Sequence, residues 1–559
     1  MATIQSKVLF ITTSPRSPLK MLPEIELLQT YFGGKKWNKT TQAEFMQILK
    51  EENFFLGEGV NDPAFSARDR INRAPKSLGF VSLSPCINLT AAGQEFVQSK
   101  RKEEIFLRQL LKFQIPSPYH KQGSKSADFY IKPYLEMFRL IRHFGSLTLD
   151  EIMLFGLQLV DYRKFDVITA KIEQFRKDKT NHENSYREFR GQYLERELRI
   201  IYQDEIAAGN TATRESRNES IENFLKTKGS NMRDYTDALF RYLRTTGMVQ
   251  ISHLGKSISI TQDKVQEVDY FLDHTDRNPC FVDNEKQYAA YLADTSIPQL
   301  LTDNRKLLLQ KIHSEFPNLK INKTDSANQL KDILFDERAK QKENLLTQQI
   351  AAIKNHRLYD EIQETFQNIQ KGSLYDVPLI LEWNVWRAMI MLDGGEIKAN
   401  LKFDDIGSPM ATAQGNVADI VCNYGSFDLT VEVTMQSGQR QYEMEGEPVS
   451  RHLAKLKKET GKPAYCLFVA PQINEACIAH FFTLHKVNVS YYGGVSNIVP
   501  LPLNVFSKMV ADSYKAFYTP EPKHIRQFFE RSRELAASCN NEQEWYEGIT
   551  KTVLNWLES

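Results

Sequence analysis

The sequence predicts a multidomain α+β protein whose N-terminal half is largely helical and whose C-terminal end is an α/β domain. Three observations carry that expectation. At 559 residues the chain has room for roughly three to five domains of ordinary size. In its first half, a basic helical stretch twice runs into a pair of short apolar strands. Past residue 375 the pattern turns to helix, strand, strand, helix, strand, helix, strand, the rhythm of a compact α/β domain. The expected domains are 1–133 and 134–301, each with one helix-and-strand-pair unit, a helical linker over 302–374, and 375–559.

Composition removes several classes. Lys+Arg 71 against Asp+Glu 70 leaves a net charge of +1, so the chain is neither a uniformly basic coat protein nor an acidic disordered tail. With 41% hydrophobic, 11% aromatic and 25% charged residues, packed cores are expected rather than long disorder. No run approaches the roughly 18 apolar residues that span a bilayer, and mean hydropathy is −0.45. No membrane association is expected. The apolar run Val8 to Ile11 is too short for a secretory signal. The six cysteines show no Cys-x-x-Cys spacing, so a reduced, cytoplasmic setting without disulfides or a zinc site is the expectation.

The first unit begins at Ala67, where Arg68, Arg70, Arg73 and Lys76 recur at mostly helical spacing. Leu78 to Leu83 then reads as a strand, Ser84-Pro85 as a turn, Ile87 to Thr90 as the returning strand, and a helix follows from Ala91. The second unit repeats the plan with Asn231-Met232-Arg233-Asp234, a helix over Tyr235 to Arg244, and strands at Gly247 to Ser252 and Ile258 to Thr261. A helix feeding a two-stranded wing is the winged-helix form of helix-turn-helix, which lays the helix in the DNA major groove and the wing on the backbone. Asp62 to Pro133 holds 12 Lys+Arg against 6 Asp+Glu, a local +6, and such clusters bind phosphates by releasing condensed counterions. Double-stranded DNA is therefore the expected partner. Arg68, Arg70, Asn72 and Arg73 are candidates for base edges, with Lys76 and Arg233 as further DNA contacts. In either unit alone, an ordinary helix and hairpin with solvated basic residues would give the same pattern.

Between the units, Tyr134 to Lys228 is helical in pattern, with Phe138, Leu140, Ile141 and Phe144 on one face. It reads as scaffold. From Thr302 onward, charge-laced helices such as Asp332 to Gln349 contain no chemical motif and read as a connector.

The last domain opens with a helix from Pro378 to Leu392 that carries Glu382, proline suiting its first turn. Val417 to Cys422 is an apolar strand interrupted by Asp419, Asn423 to Ser426 is a turn, and Phe427 to Thr434 is a second strand carrying Glu432. Lying 13 residues apart across that turn, the two acids can converge on one sheet edge. Hydrolysing a phosphodiester needs a hard cation that polarises the phosphoryl oxygen and lowers the pKa of the attacking water. Asp419, Glu432 and the backbone carbonyl of Val433 make a partial oxygen shell for Mg2+, with water and phosphate completing it. This is the plan of the PD-(D/E)xK nuclease core, in which an acid on a preceding helix, here Glu382, often joins. The plainer reading is an edge hairpin with solvent-facing acids, but both acids stand inside strongly apolar strands. Downstream, Tyr442 to Pro448 opens a helix with three acids, followed by Arg451 and His452. Ala464 to Ala470 is a buried strand, Ile473 to Lys486 a helix and Val487 to Tyr492 another strand. Asp376 to Glu447 holds 12 Asp+Glu against 4 Lys+Arg, a local −8, which repels DNA unless cations occupy the site.

Leu381-Glu382-Trp383 with Trp386-Arg387, Ala418-Asp419-Ile420-Val421, Val431-Glu432-Val433-Thr434, and Glu445-Gly446-Glu447-Pro448-Val449 with Arg451-His452 follow in that order. In them the chain resembles the AlwI-type family of type IIS restriction endonucleases and site-specific nicking endonucleases, over essentially its whole length. The resemblance implies that the N-terminal part recognises a short asymmetric DNA site and that the C-terminal domain cuts a few nucleotides away. It implies Glu382, Asp419, Glu432 and Glu445 as catalytic acids, with His452 as a neighbouring active-site residue. One position departs from the general core: Thr434 stands where a lysine is usual, two residues after Glu432, and threonine supplies no ammonium. Glu445, through a second cation or a water, and His452, as a donor to the phosphate, are candidates for part of that role. The same Glu-Val-Thr occurs in the resembling family.

The expected architecture is therefore an N-terminal winged-helix-containing, largely helical DNA-recognition region, a helical linker and a C-terminal α/β PD-(D/E)xK nuclease domain. The expected function is a Mg2+-dependent type IIS restriction or strand-specific nicking endonuclease. The family implies a bacterial cytoplasmic setting and a cognate DNA methyltransferase, and one active site per chain implies a second copy, a small nuclease subunit or sequential turnover for the other strand. The competing readings are a non-enzymatic winged-helix regulator with a ligand-sensing C-terminal domain, and a carboxylate-pair glycosidase.

Overall fold

The structure, a computed structural model, describes all residues except 1, 12–14, 16–17, 53–61, 125, 183–184, 214–219, 253–254, 372–373, 375, 393, 405–406, 414–415, 516–519 and 558–559. Residue 375, at the last expected boundary, lies outside the described set. The chain forms two compact units, Met1–Arg338 and Ala339–Ser559. The division falls within the helix Ala327–Lys354, inside the stretch expected as a linker. The architecture is mixed α+β, mainly helical with small sheets. No helix among the described residues is long and apolar enough to cross a membrane.

In the first unit, helices Met21–Phe32, Lys39–Glu51 and Pro63–Arg73 precede an antiparallel ribbon of Val81–Ser82 and Asn88–Leu89. Asp62 starts the third helix: its carboxylate accepts the Phe65 amide at 3.0 Å, and Pro63 fills the first turn, where a missing N–H costs nothing. The ribbon is pinned from below, because Phe80 stacks on Phe96 at 4.5 Å. The backbone of Gly93 comes so close that a Cβ there would stand 2.0 Å from the Phe80 carbonyl oxygen, which only glycine allows.

The second helix-and-hairpin unit differs from its sequence reading in two ways. Its helix runs over Ile221–Arg244, starting well before Tyr235. Its hairpin, Val249–Ser252 with Ser257–Ile260, gains a third antiparallel strand, Ser146–Thr148, paired with Ser257–Ile260. That strand follows the helix Pro133–Phe144, so the sheet closes over more than a hundred residues of intervening chain. Farther on, Leu308, Ile312, Leu330 and Leu334 form a small buried cluster joining the helix Arg305–Glu315 to the start of Ala327–Lys354.

The second unit is built on a five-stranded sheet. Its elements are numbered here within the unit: α1 Val377–Leu392, β1 Glu396–Ala399, β2 Ile420–Asn423, β3 Asp428–Val433, α2 Gln439–Thr460, β4 Ala464–Ala470, α3 Glu475–Lys486 and β5 Ile498–Pro502. The spatial order is β5-β4-β3-β2-β1. β1, β2 and β3 are antiparallel, and β3, β4 and β5 run parallel. The central strands β3 and β4 are buried almost throughout, as strands covered on both faces must be. Helices Leu503–Lys515, Pro522–Ser538 and Glu542–Leu554 complete the unit, the last locked by buried Trp545, whose Nε1 donates to the Ser532 carbonyl at 2.9 Å.

One expected strand is absent. Val487 to Tyr492 is no strand; Ser490–Tyr492 is a single 3-10 turn, with Val487 and Tyr491 exposed. Its apolar residues alternate, but Gly493 and Gly494 turn the chain back on Val489 before it can enter the sheet. The strand that does enter, β5, is the wholly buried run Ile498 to Leu501.

Candidate active site

The hairpin β2-β3 brings the two central acids together. Ile420 pairs with Val431, so Asp419, one residue before β2, stands opposite Glu432, and facing residues of a pair share one side of the sheet. Asp419 is half-buried, and its Oδ2 accepts the backbone amide of Val433 at 2.7 Å. Glu432 is buried in the middle of an apolar strand. Glu382 enters from α1, whose described side chains are nearly all buried, and its Oε1 accepts the Ala413 amide at 2.9 Å. α1 is itself held in place by Arg387, which is buried, pairs with Glu361 and lies 3.7 Å over the Trp383 ring.

α2 packs across β3 and β4 and delivers the remaining groups. Glu445 and His452 are seven residues apart, two helical turns, and therefore share a face. His452 Nδ1 lies 2.9 Å from Glu432 Oε1. Glu445 is half-buried and accepts the Thr434 hydroxyl. All five residues implied by the sequence, Glu382, Asp419, Glu432, Glu445 and His452, thus meet around the open end of one hairpin.

The electrostatics follow from crowding acids in a poorly solvated place. Burial pushes the Glu382, Asp419 and Glu432 carboxyls well above the ordinary range. Neighbouring charge adds to it: Asp419 acts on Glu382, Glu432 and Glu445 act on Asp419, and Glu445 and Glu382 act on Glu432. Glu445 is also raised, chiefly by burial. Burial, with Arg451 beside it, pushes the His452 imidazole down to about 4, so the ring is neutral at physiological pH. With Glu432 ionised, their bond requires the proton on Nδ1, which leaves Nε2 an acceptor. Nε2 is buried and has no hydrogen-bond partner among the described residues. The donor role toward phosphate expected of His452 corresponds to the other tautomer, in which a protonated Glu432 donates to Nδ1 and Nε2 carries the proton.

Arg451, quoted in the sequence only as part of a motif, is fixed beside this cluster. Its Nε donates to Glu447 at 3.2 Å and its Nη1 to Asn416 Oδ1 at 2.9 Å. Its Nη2 is buried without a partner among the described residues. Thr434, standing where the general core has lysine, is the sequence signal that draws attention to a neighbouring cation.

The donors are oxygen atoms short of positive charge, which suits a hard divalent cation. Among the described residues no three His, Cys, Asp or Glu side chains close on one point as a cation cage. Of the expected shell, Asp419 and Glu432 face each other across the hairpin, a partial set of oxygen donors and not a complete cage.

The candidate DNA contacts lie in the first unit. Arg68 is exposed, 5.8 Å from the Phe65 ring. Asn72 is exposed and accepts the Trp37 indole N–H at 3.0 Å. Arg73 pairs with Asp69, and Lys76 lies 4.5 Å over the Tyr119 ring. Arg233 is exposed midway along its helix. Arg70 differs from these: it pairs with fully buried Glu24, so its guanidinium is committed to the core.

The family model described as AlwI restriction endonuclease matches residues 76–509. Among solved structures, one similar chain is the small subunit (R.BspD6I2) of the heterodimeric restriction endonuclease R.BspD6I, with 24% identity over 35% of this chain and 97% of that chain, at a TM-score of 0.30. No match is found among curated proteins. The family match covers well over half of the sequence and includes every member of the acid cluster, from Glu382 to His452; this chain belongs to the AlwI restriction endonuclease family.

Proposed function

We propose that this chain is a Mg2+-dependent type IIS restriction or strand-specific nicking endonuclease. It reads a short asymmetric DNA sequence with two winged-helix units in the first 301 residues and hydrolyses phosphodiester bonds a few nucleotides away in the PD-(D/E)xK domain from 375 onward. The observation that carries the reading is the meeting of Glu382, Asp419, Glu432, Glu445 and His452 at one hairpin of a mixed sheet. Structural acids have no reason to collect where burial and mutual repulsion oppose them, unless a cation and a phosphate come to the same place. Support for the recognition units is the order of helix, hairpin and, in the second unit, the added strand Ser146–Thr148.

Asp419, Glu432 and the Val433 carbonyl would hold the cation, which when bound polarises the phosphoryl oxygen and lowers the pKa of water. The chain's own residues do the rest. Glu432 fixes the imidazole through Nδ1, and Nε2 of His452 accepts a hydrogen bond, or the proton, from the attacking water. Thr434 holds Glu445 toward the cluster. Arg68, Asn72, Arg73, Lys76 and Arg233 remain the DNA contacts, without Arg70. The setting is a bacterial cytoplasm with a cognate methyltransferase, and a second copy or a small nuclease subunit would cut the other strand.

Supercoiled plasmid incubated with protein and Mg2+ should yield nicked or linear products with defined ends. Asp419→Ala and Glu432→Ala should bind the same DNA and leave it uncut. Cutting at the wild-type rate by either variant removes the assignment, and binding with no cutting by the wild type across several divalent metals favours a regulator.

A further inference from the structure

We propose that Arg451 supplies the positive charge that the missing lysine at position 434 leaves open, donating through Nη2 to a non-bridging oxygen of the scissile phosphate. The proposal rests on the nuclease reading and deepens it at one residue. It starts from a deficit. Hydrolysis adds the water oxygen to phosphorus as the bond to the sugar oxygen breaks, with one proton leaving the water and one returned to the alkoxide. Negative charge accumulates on the non-bridging oxygens meanwhile, and a fixed donor aimed there stabilises the transition state. None of the four acids can donate when ionised. His452 presents Nε2 as an acceptor when Nδ1 donates to Glu432, and Thr434 directs its hydroxyl to Glu445.

Arg451 has the reach and the freedom the role requires. It directly precedes His452 on α2, so the residue beside it on the backbone touches Glu432. Its charge is felt inside the cluster, where it draws the Glu432 carboxyl back down against the surrounding acids. Two of its nitrogens are anchored, Nε by Glu447 one turn earlier and Nη1 by Asn416. Asn416 has φ +70, a left-handed conformation that asparagine tolerates better than most residues. That leaves Nη2 buried and unpaired among the described residues. A buried donor without a partner is destabilising, and a bound phosphate oxygen removes that cost. Guanidinium anchored on two sides presents its remaining donor with little rotamer entropy to lose. Arg387, the other arginine of the motif segments, is buried against Glu361 and Asn384 and serves α1.

The test compares Arg451→Ala and Arg451→Lys with Lys455→Ala, a half-exposed lysine one turn on whose partner is Glu459. Single-turnover nicking is measured in Mg2+, and DNA affinity by anisotropy in Ca2+. Each phosphorothioate diastereomer is also placed at the scissile position. Arg451→Ala should cut on the order of 100-fold more slowly, bind DNA within about threefold of wild type, and narrow the rate difference between diastereomers relative to wild type. Arg451→Lys should recover part of the rate, and Lys455→Ala should match wild type. An Arg451→Ala protein that cuts at the wild-type rate, or keeps the full diastereomer difference, overturns the proposal. If Arg451→Ala fails to fold, Asn416→Ala releases Nη1 while leaving the charge, and an unchanged diastereomer difference in both it and Arg451→Lys overturns it equally. Asp419→Ala separates the two claims: if it still cuts, the nuclease assignment fails, whereas an inert Asp419→Ala beside an unaffected Arg451→Ala rejects only the role of Arg451.

Discussion

Each acid of the cluster is held against its own preference for water, and that has a measurable sign. A carboxyl raised in the folded chain keeps its proton to a higher pH than the same group unfolded. Stability therefore falls as pH rises between the two values, and at neutral pH the cluster works against the fold. A divalent cation reverses this by binding only the folded arrangement. Asp419→Asn keeps the size and removes one charge. In EDTA at pH 7.5, a condition chosen above the ordinary carboxylate range, it should raise the melting temperature of the second unit by a few degrees. Mg2+ should raise the wild-type melting temperature and leave that of Asp419→Asn nearly unchanged. A variant less stable than wild type in EDTA would mean that Asp419 is structural, its bond to the Val433 amide outweighing the repulsion.

At the scale of elements, charge does the opposite work in the first unit. Glu267, on the helix Val265–His274, is buried, and burial alone would raise its carboxyl; Lys264, Arg338 and Lys311 outweigh that and hold it at about 2. Arg338 also grips Glu315 at 2.9 Å, tying Ala327–Lys354 to Arg305–Glu315. A depressed acid contributes stability in full above its unfolded value and loses it as pH falls through its folded one. Urea unfolding of the first unit should thus weaken between about pH 4.5 and 2, and Arg338→Ala should cost roughly 1.5–3 kcal/mol by removing charge-assisted hydrogen bonds to Glu267 and Glu315, which keep Lys264 and Lys311 as partners. A loss below 1 kcal/mol, the range of exposed pairs, would show that the network is solvated. None of this was legible in the sequence, where Arg338 read only as part of a charge-laced helix and its partner Glu267 lies some seventy residues earlier. The hairpin β2-β3 was legible because single acids interrupt two apolar runs at Asp419 and Glu432, a local signal. β5 was not: Pro500 and Pro502 argue against a strand, and only its place at the sheet edge, where a missing N–H costs no ladder bond, admits them. Ser146–Thr148 pairs with a strand more than a hundred residues on, Ser257–Ile260, beyond the reach of any local pattern. The Arg451 guanidinium was equally hidden, since its partner Asn416 comes from a loop before β2.

Across the whole molecule, the near-zero net charge is a cancellation between +6 over Asp62 to Pro133 and −8 over Asp376 to Glu447. The first belongs to the unit proposed to hold phosphates and the second to the unit proposed to cut, so binding and cutting should separate cleanly under mutation and salt. Replacing Lys76 and Arg233 by Ala should weaken binding and lower the slope of log affinity against log salt by about one per lost phosphate contact. Asp419→Ala should leave that slope unchanged. The same layout bears on strand number. The described residues contain one cluster of this kind, and one such site cuts one strand per engagement. With supercoiled plasmid in excess, nicked circles should therefore appear first, at a rate proportional to enzyme. Linear DNA should appear later and rise more steeply than in proportion to enzyme, because a second copy must engage the opposite strand, or not appear at all without a separate subunit. Linear product formed alongside nicked circles, in a ratio independent of enzyme concentration, would require a second cutting site in the chain or both strands passing through this one in a single engagement. Run-off sequencing of the early nicked product fixes which strand the Asp419–Glu432 hairpin meets first, and a break scattered over many positions would contradict a cutting unit tethered to a recognition unit at a set distance.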